Sequence, residues 1–85
     1  MNVRVHYFAS LREQVGRADE SLDLPEGVTT VAGLRAHLMA RGGAWQIALG
    51  TARALRVAVN QDMAQPTTPV KSGDEVAFFP PVTGG

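Results

Sequence analysis

The chain ends in residues whose types and order suit acyl chemistry, Phe78-Phe79-Pro80-Pro81-Val82-Thr83 running into Gly84-Gly85. Two glycines carry no side chains, so a carboxylate that follows them can be threaded through a narrow channel and attacked without steric hindrance. Proline lacks an amide hydrogen and fixes its φ angle. Pro80-Pro81 therefore ends any β-ladder and sends the remaining chain out stiffly extended. From Pro80 to Gly85 that arm spans about 20 Å, a reach suited to delivering a carbonyl into another protein's pocket. Terminal glycines alone are more often a frayed tail. The aromatic strand and the rigid exit favour a presented group.

Other chemistries lack their parts. The absence of cysteine removes disulfides, thiolate metal ligands and thiol nucleophiles together, so any sulfur chemistry must sit elsewhere. His6 and His37 are too far apart for a local metal motif, and no H-E-x-x-H or carboxylate-rich loop accompanies them, so no metal site is expected. No Ser-His-Asp set, P-loop, dinucleotide-binding glycine pattern or paired-carboxylate cleft can be assembled. Asp74 and Glu75 are adjacent but enter a strand pointing in different directions, and both are expected to stay solvated. Eight Lys plus Arg balance eight Asp plus Glu, which leaves no net positive field for nucleic acid or anionic lipid. The first eleven residues hold no apolar run long enough for a signal peptide or membrane span, which points to the cytosol.

The elements that must hold the tail follow from periodicity. Val3, Val5 and Tyr7 alternate with Arg4, His6 and Phe8, a strand with one buried face and with Phe8 on the other. Ser10 is placed to cap a short helical segment over 11–15 that Gly16 ends. Leu22 and Leu24 mark a second strand over 20–24, antiparallel to the first, with Pro25-Glu26-Gly27 as a turn. Thr29 or Thr30 caps a helix whose Val31, Leu34 and Leu38 form one apolar stripe before Gly42-Gly43 stops it. His37 and Trp45 are read as packing or snorkelling side chains, Trp45 within a short turn over 44–49. A third strand covers 56–60, Asn60-Gln61-Asp62 turns, and Met63-Ala64 begins a short edge strand before Pro66. Residues 75–79 form the last strand, with Val76 and Phe78 on one face and Ala77 and Phe79 on the other.

Eighty-five residues make one domain that buries about 60% of the unfolded chain's surface, enough for one core and no deep cleft. The order of strand, strand, helix, strand, short strand, strand fits an α+β domain of the β-grasp, ubiquitin-like kind, a mixed sheet covered by one main helix. Residues 1–79 are the domain and 80–85 the tail. Its outer sheet face would carry Arg4, His6, Phe8, Ala77 and Phe79, and exposed aromatics of this kind mark a docking surface.

The segment Gly73-Asp74-Glu75-Val76-Ala77-Phe78-Phe79-Pro80-Pro81-Val82-Thr83-Gly84-Gly85 resembles the C-terminus of the small subunits of molybdopterin synthase. The similarity extends through Val59-Asn60-Gln61 and through Tyr7-Phe8-Ala9 with Arg12-Glu13. Thiamine-pathway sulfur carriers share the Gly-Gly end but generally not the Phe-Phe-Pro-Pro run, and ubiquitin-like modifiers use the same end to join lysines. The resemblance implies a sulfur carrier without an active site of its own, working as the small subunit of a heterotetrameric sulfurtransferase. A ubiquitin-activating-like adenylyltransferase would use ATP to join the Gly85 carboxylate, presented by Gly84, to AMP. Sulfur would then displace AMP to give a thiocarboxylate. Inside the large synthase subunit this group would donate sulfur to a cyclic pyranopterin monophosphate, twice over because a dithiolene needs two sulfurs. The resemblance also implies contacts to that subunit from Phe8, Met63 and Phe79, from Arg12, and from the arm Pro80, Pro81, Val82 and Thr83. No permanently bound cofactor is implied.

Overall fold

The alternation of β-branched and polar residues at the start of the chain produces strand β1, Asn2–Tyr7, with Val3, Val5 and Tyr7 turned inward and essentially fully buried. The computed structural model describes residues 1–50 and 54–80. A short helix α1, Ala9–Val15, follows directly, burying Leu11 and Val15. It ends at Gly16, whose φ of 79° lies in the left-handed region that glycine enters without steric cost. Strand β2, Asp19–Asp23, returns antiparallel to β1 and pairs Val3 with Leu22. It lies one residue earlier than the alternation suggested.

Helix α2, Val31–Met39, is capped by the Thr30 hydroxyl, which accepts from the Gly33 amide at 3.1 Å. Its buried residues Val31, Leu34 and Leu38 form the expected stripe. Helix α3, Gly43–Leu49, then buries Ala48 and Leu49. Strands β3, Arg56–Val59, and β4, Asp62–Ala64, form a hairpin, and β5, Glu75–Phe79, completes a sheet of order β2-β1-β5-β3-β4. Only the central β1–β5 pair among these is parallel. That mixed sheet with its core-side helices is a β-grasp fold.

Four local expectations are corrected. Ser10 caps nothing, because Phe8 occupies the N-cap position of α1 without a side-chain hydrogen bond. Gly42-Gly43 is not the stop of α2. Ala40 ends that helix, and Gly42, at φ 75°, opens α3. The segment around Trp45 is a two-turn helix rather than a turn, because Ala48 and Leu49 gain burial only once the sheet is in place. Asn60 lies outside β3, in a turn where it and Gln61 take φ 50° and 73°.

The core is continuous from β1 through β5 to α2 and α3, with Tyr7 and Phe78 stacked at 6.4 Å between ring centroids. At one end it meets a polar cluster. The Glu20 side chain, 8% exposed, accepts from both terminal nitrogens of Arg41 at 2.9 Å and from the Tyr7 hydroxyl at 2.8 Å. Trp45 Nε1 donates to the Tyr7 oxygen at 3.2 Å, and the Arg41 guanidinium lies 4.9 Å from the centre of the indole. Burial pushes the Tyr7 phenol well above its ordinary value, and Glu20 adds to that. Burial would also raise Glu20, but hydrogen bonds from Arg41 and Tyr7, with the charges of Arg41 and Arg17, outweigh it and hold the carboxyl below its ordinary value.

Arg35 closes the other end of α3. Its Nε donates to the Leu49 carbonyl at 2.7 Å and its Nη2 to the Gly50 carbonyl at 2.6 Å, satisfying groups that a helix C-terminus leaves open. Among the described residues no helix is long and apolar enough to cross a membrane, and no cluster of His, Asp and Glu is arranged to hold a metal ion.

Candidate docking face and carrier tail

Strand registers decide what the outer face of the sheet presents. The pairings His6↔Ala77, Ala77↔Ala58 and Ala58↔Met63 place these four residues in one row across β1, β5, β3 and β4. The middle two are alanines, so the row sinks at its centre. The result is a hollow of about 370 Å³ with Ala58 and Ala77 in its floor. Phe8 and Phe79 make one wall, their rings 4.7 Å apart and 9° from parallel. Met63 and Gln61 make another. His6 and Glu75 line the hollow too, joined by a 2.9 Å contact from Nε2 to Oε1.

The hollow is apolar and open. Phe8 is 43% exposed and Met63 65% exposed, large side chains left in water on a domain whose remaining big hydrophobics are mostly buried. The chain is held there by local backbone. The Phe8 amide donates to the Phe78 carbonyl at 3.2 Å, tying the Phe8 wall to the strand that continues into the tail. Ala9, next in sequence, takes φ 51°, a left-handed conformation unfavourable for alanine. On the far side Asn60 turns the β3–β4 hairpin at positive φ and spans to β5. It donates to Asp74 Oδ1 at 2.9 Å and accepts from the Glu75 amide at 3.0 Å.

The structure brings Phe8, Met63 and Phe79 around one hollow, and Pro80 follows Phe79 directly as a half-buried residue. Arg12 is not part of it. It is exposed on α1, in a shallow area with Ala9, Ser10 and Glu13. Pro81, Val82, Thr83, Gly84 and Gly85 lie outside the described residues. Asp74 is not merely solvated as expected, since its carboxylate also accepts from the Lys71 amide at 2.7 Å and so pins the turn into β5. Gln61, Ala58 and Glu75 were not singled out for this face. The small residues at 58 and 77 were visible in the sequence, but that they meet depends on an antiparallel register the sequence does not print.

Residues 5–85 match the ThiS family, a span that takes in both the hollow and Gly85. The chain is 41% identical over 83 residues to the molybdopterin synthase sulfur carrier subunit of Haemophilus influenzae, covering 98% of this chain and 99% of that protein. Identity to the molybdopterin synthase sulfur carrier subunit of Escherichia coli K12 is 42% over 83 residues, with 98% and 99% covered. Among solved structures, the small archaeal modifier protein 1 of Haloferax volcanii superposes with a TM-score of 0.75 at 26% identity, covering 95% of this chain and 98% of that one. With a family match that runs to its last residue and full-length relatives at this identity, the chain belongs to the ThiS family, alongside the molybdopterin synthase sulfur carrier subunits.

Proposed function

We propose that this chain is the sulfur carrier subunit of a molybdopterin synthase, and that its chemistry takes place at the Gly85 carboxyl inside partner proteins. The observation that carries this reading is the near-full-length similarity to sulfur carrier subunits, together with a family match that runs through Gly84-Gly85. In the first step a Gly85 carboxylate oxygen attacks the α-phosphorus of ATP held by an adenylyltransferase, and pyrophosphate leaves. A sulfur nucleophile then adds to the acyl carbon, the carbon–oxygen bond breaks, and AMP departs with the electron pair. The product is a thiocarboxylate, a competent nucleophile at neutral pH. The large synthase subunit supplies the acid–base groups for handing its sulfur to the pterin precursor. ATP belongs to the activating partner, and the chain holds no cofactor of its own.

The hollow gives the division of labour a physical basis. A carrier must be recognised in turn by the enzyme that charges it and the enzyme that discharges it. Phe8, Phe79 and Met63 form an apolar patch beside the strand from which the arm leaves, so a partner that covers the patch also receives the arm. Apolar burial supplies affinity without a fixed net charge.

Incubation with ATP, an adenylyltransferase of this kind and a sulfur source tests the reading. Intact-mass spectrometry should show one oxygen of the chain exchanged for sulfur, localised to Gly85. An unchanged mass beside a converted control carrier would sink it. A second reading, conjugation of Gly85 to lysines of other proteins, draws support from the likeness to the archaeal modifier. Lysine-linked adducts recovered from cells would favour it.

A further inference from the structure

Whatever covers the outer hollow must also answer its polar end. Ala58 and Ala77 give it an apolar floor, but Glu75 and Gln61 line the same hollow. A carboxylate only accepts hydrogen bonds, so in the 2.9 Å contact His6 Nε2 is the donor and Glu75 Oε1 the acceptor. Glu75 Oε2 and the Gln61 side-chain amide have no hydrogen-bond partner among the described residues. An apolar side chain laid over the whole hollow would strip water from that carboxylate oxygen and put nothing in its place, which is unfavourable.

The arginines nearest to Glu75 on this face do not supply the missing donor. Arg4 is paired with Glu75 in the β1–β5 register, but its guanidinium is turned to β2, where it donates to Asp19 Oδ1 at 3.0 Å and to Ser21 Oγ at 3.3 Å. Arg56 stands opposite Phe79, at the other end of β5, and does not line the hollow. Glu75 and Phe79 close the two ends of β5, roughly 13 Å apart at the rise of an extended strand, with Ala77 midway. The hollow is therefore a trough, aromatic at one end and anionic at the other. A long side chain with an aliphatic stem and a cationic head matches that layout.

We propose that the hollow receives an arginine side chain of the partner that seats on this face, with Glu75 as the residue that selects it. Which partner supplies the arginine rests on the carrier reading above. The stem lies on Ala58 and Ala77 between Met63 and the Phe79 wall, and the guanidinium donates to Glu75 Oε2 and to the Gln61 side-chain carbonyl. Arginine suits the place better than lysine, because its planar fork serves two acceptors at once. The His6 bond to Oε1 fixes the carboxylate and leaves Oε2 for the incoming group. Glu75 thereby adds selectivity to a surface whose apolar part would accept many side chains.

The test titrates the isotopically labelled full chain with N-acetylarginine amide and with its uncharged isostere, N-acetylcitrulline amide. The arginine compound should shift the resonances of Glu75, Gln61 and Ala77 saturably, and the citrulline compound should not. Glu75→Gln, which keeps an acceptor for His6, should abolish the response. In the same variant, affinity for the large synthase subunit should fall about tenfold and lose much of its salt dependence. Equal responses to the two compounds, no response to either, or a Glu75→Gln affinity within about twofold of the unaltered chain's would each overturn the proposal. Sulfur exchange at Gly85, read by intact mass on the same protein, keeps the two readings apart. Exchange without arginine recognition overturns the arginine site alone, and arginine recognition without exchange overturns the carrier reading alone.

Discussion

The two faces of the sheet solve opposite problems. On the inner face, polar groups that had to be buried are saturated. Glu20 accepts hydrogen bonds from Arg41, Arg17 and Tyr7, the Tyr7 oxygen accepts one from Trp45, and no buried side-chain nitrogen or oxygen among the described residues lacks a partner. On the outer face, apolar groups that gain by burial are left in water around a floor of two alanines. A stable monomer has no use for the second arrangement. Stability is therefore concentrated on the inner face and recognition on the outer one, and substitutions should separate the two.

The largest effect is expected from Phe78→Ala, which empties a fully buried site beside the Tyr7 ring and should cost about 3–5 kcal/mol in chemical denaturation. Its neighbour in sequence should behave in the reverse way. Phe79→Asp places an unpaired charge on the outer hollow and should weaken binding to a large subunit by about 2–4 kcal/mol in calorimetry, with a smaller loss of stability. Equal losses of binding and stability at both positions would erase the distinction between the faces.

Next in size is the polar cluster. Glu20→Ala strands the Tyr7 hydroxyl and Arg41 and should cost about 1–3 kcal/mol without changing large-subunit affinity. The same cluster sets a pH dependence. Because Glu20 is held below its ordinary value, its contribution is full above the unfolded glutamate pKa of about 4.3 and is lost as pH falls through the lower folded value. Because Tyr7 is held above its ordinary value, its contribution is full below about 10 and is lost as pH rises beyond that. Denaturation midpoints should be flat across neutral pH and fall at both ends, and Tyr7→Phe should remove the alkaline decline. The smallest effect is expected at Ala9, where glycine relieves the positive φ. Ala9→Gly should stabilise by about 0.5–1 kcal/mol in the same denaturation assay.

What the sequence disclosed was whatever depends on near neighbours. The parity of β1 and β5 and the helix stop at Gly16 are written in spacings of two to four residues and appear as expected, and of the two threonines offered as the cap of α2 it is Thr30 that serves. Helix α3 was not legible, because seven residues scarcely hold a helix until the core accepts Ala48 and Leu49. The start of α1 was misread because Ser10 is a better cap by type than Phe8, yet Phe8 is fixed by its hydrogen bond to β5. The Glu20–Arg41 pair joins residues 21 apart in sequence and carries no local signal. The hollow falls between these cases. Its aromatics were readable from alternation, while its alanine floor needed the register of β3 on β5. Arg12 was drawn toward the site by resemblance alone, and its place on α1 sets it apart from the hollow.

The central claim, that partners seat on the outer face, is most directly tested by titrating an unlabelled large synthase subunit into isotopically labelled chain and following amide resonances. Perturbations should concentrate at Phe8, Ala58, Met63, Ala77 and Phe79 and on into the arm, with Glu20, Trp45 and Leu49 unmoved. Perturbations centred on α2 and α3, with the hollow unaffected, would contradict it.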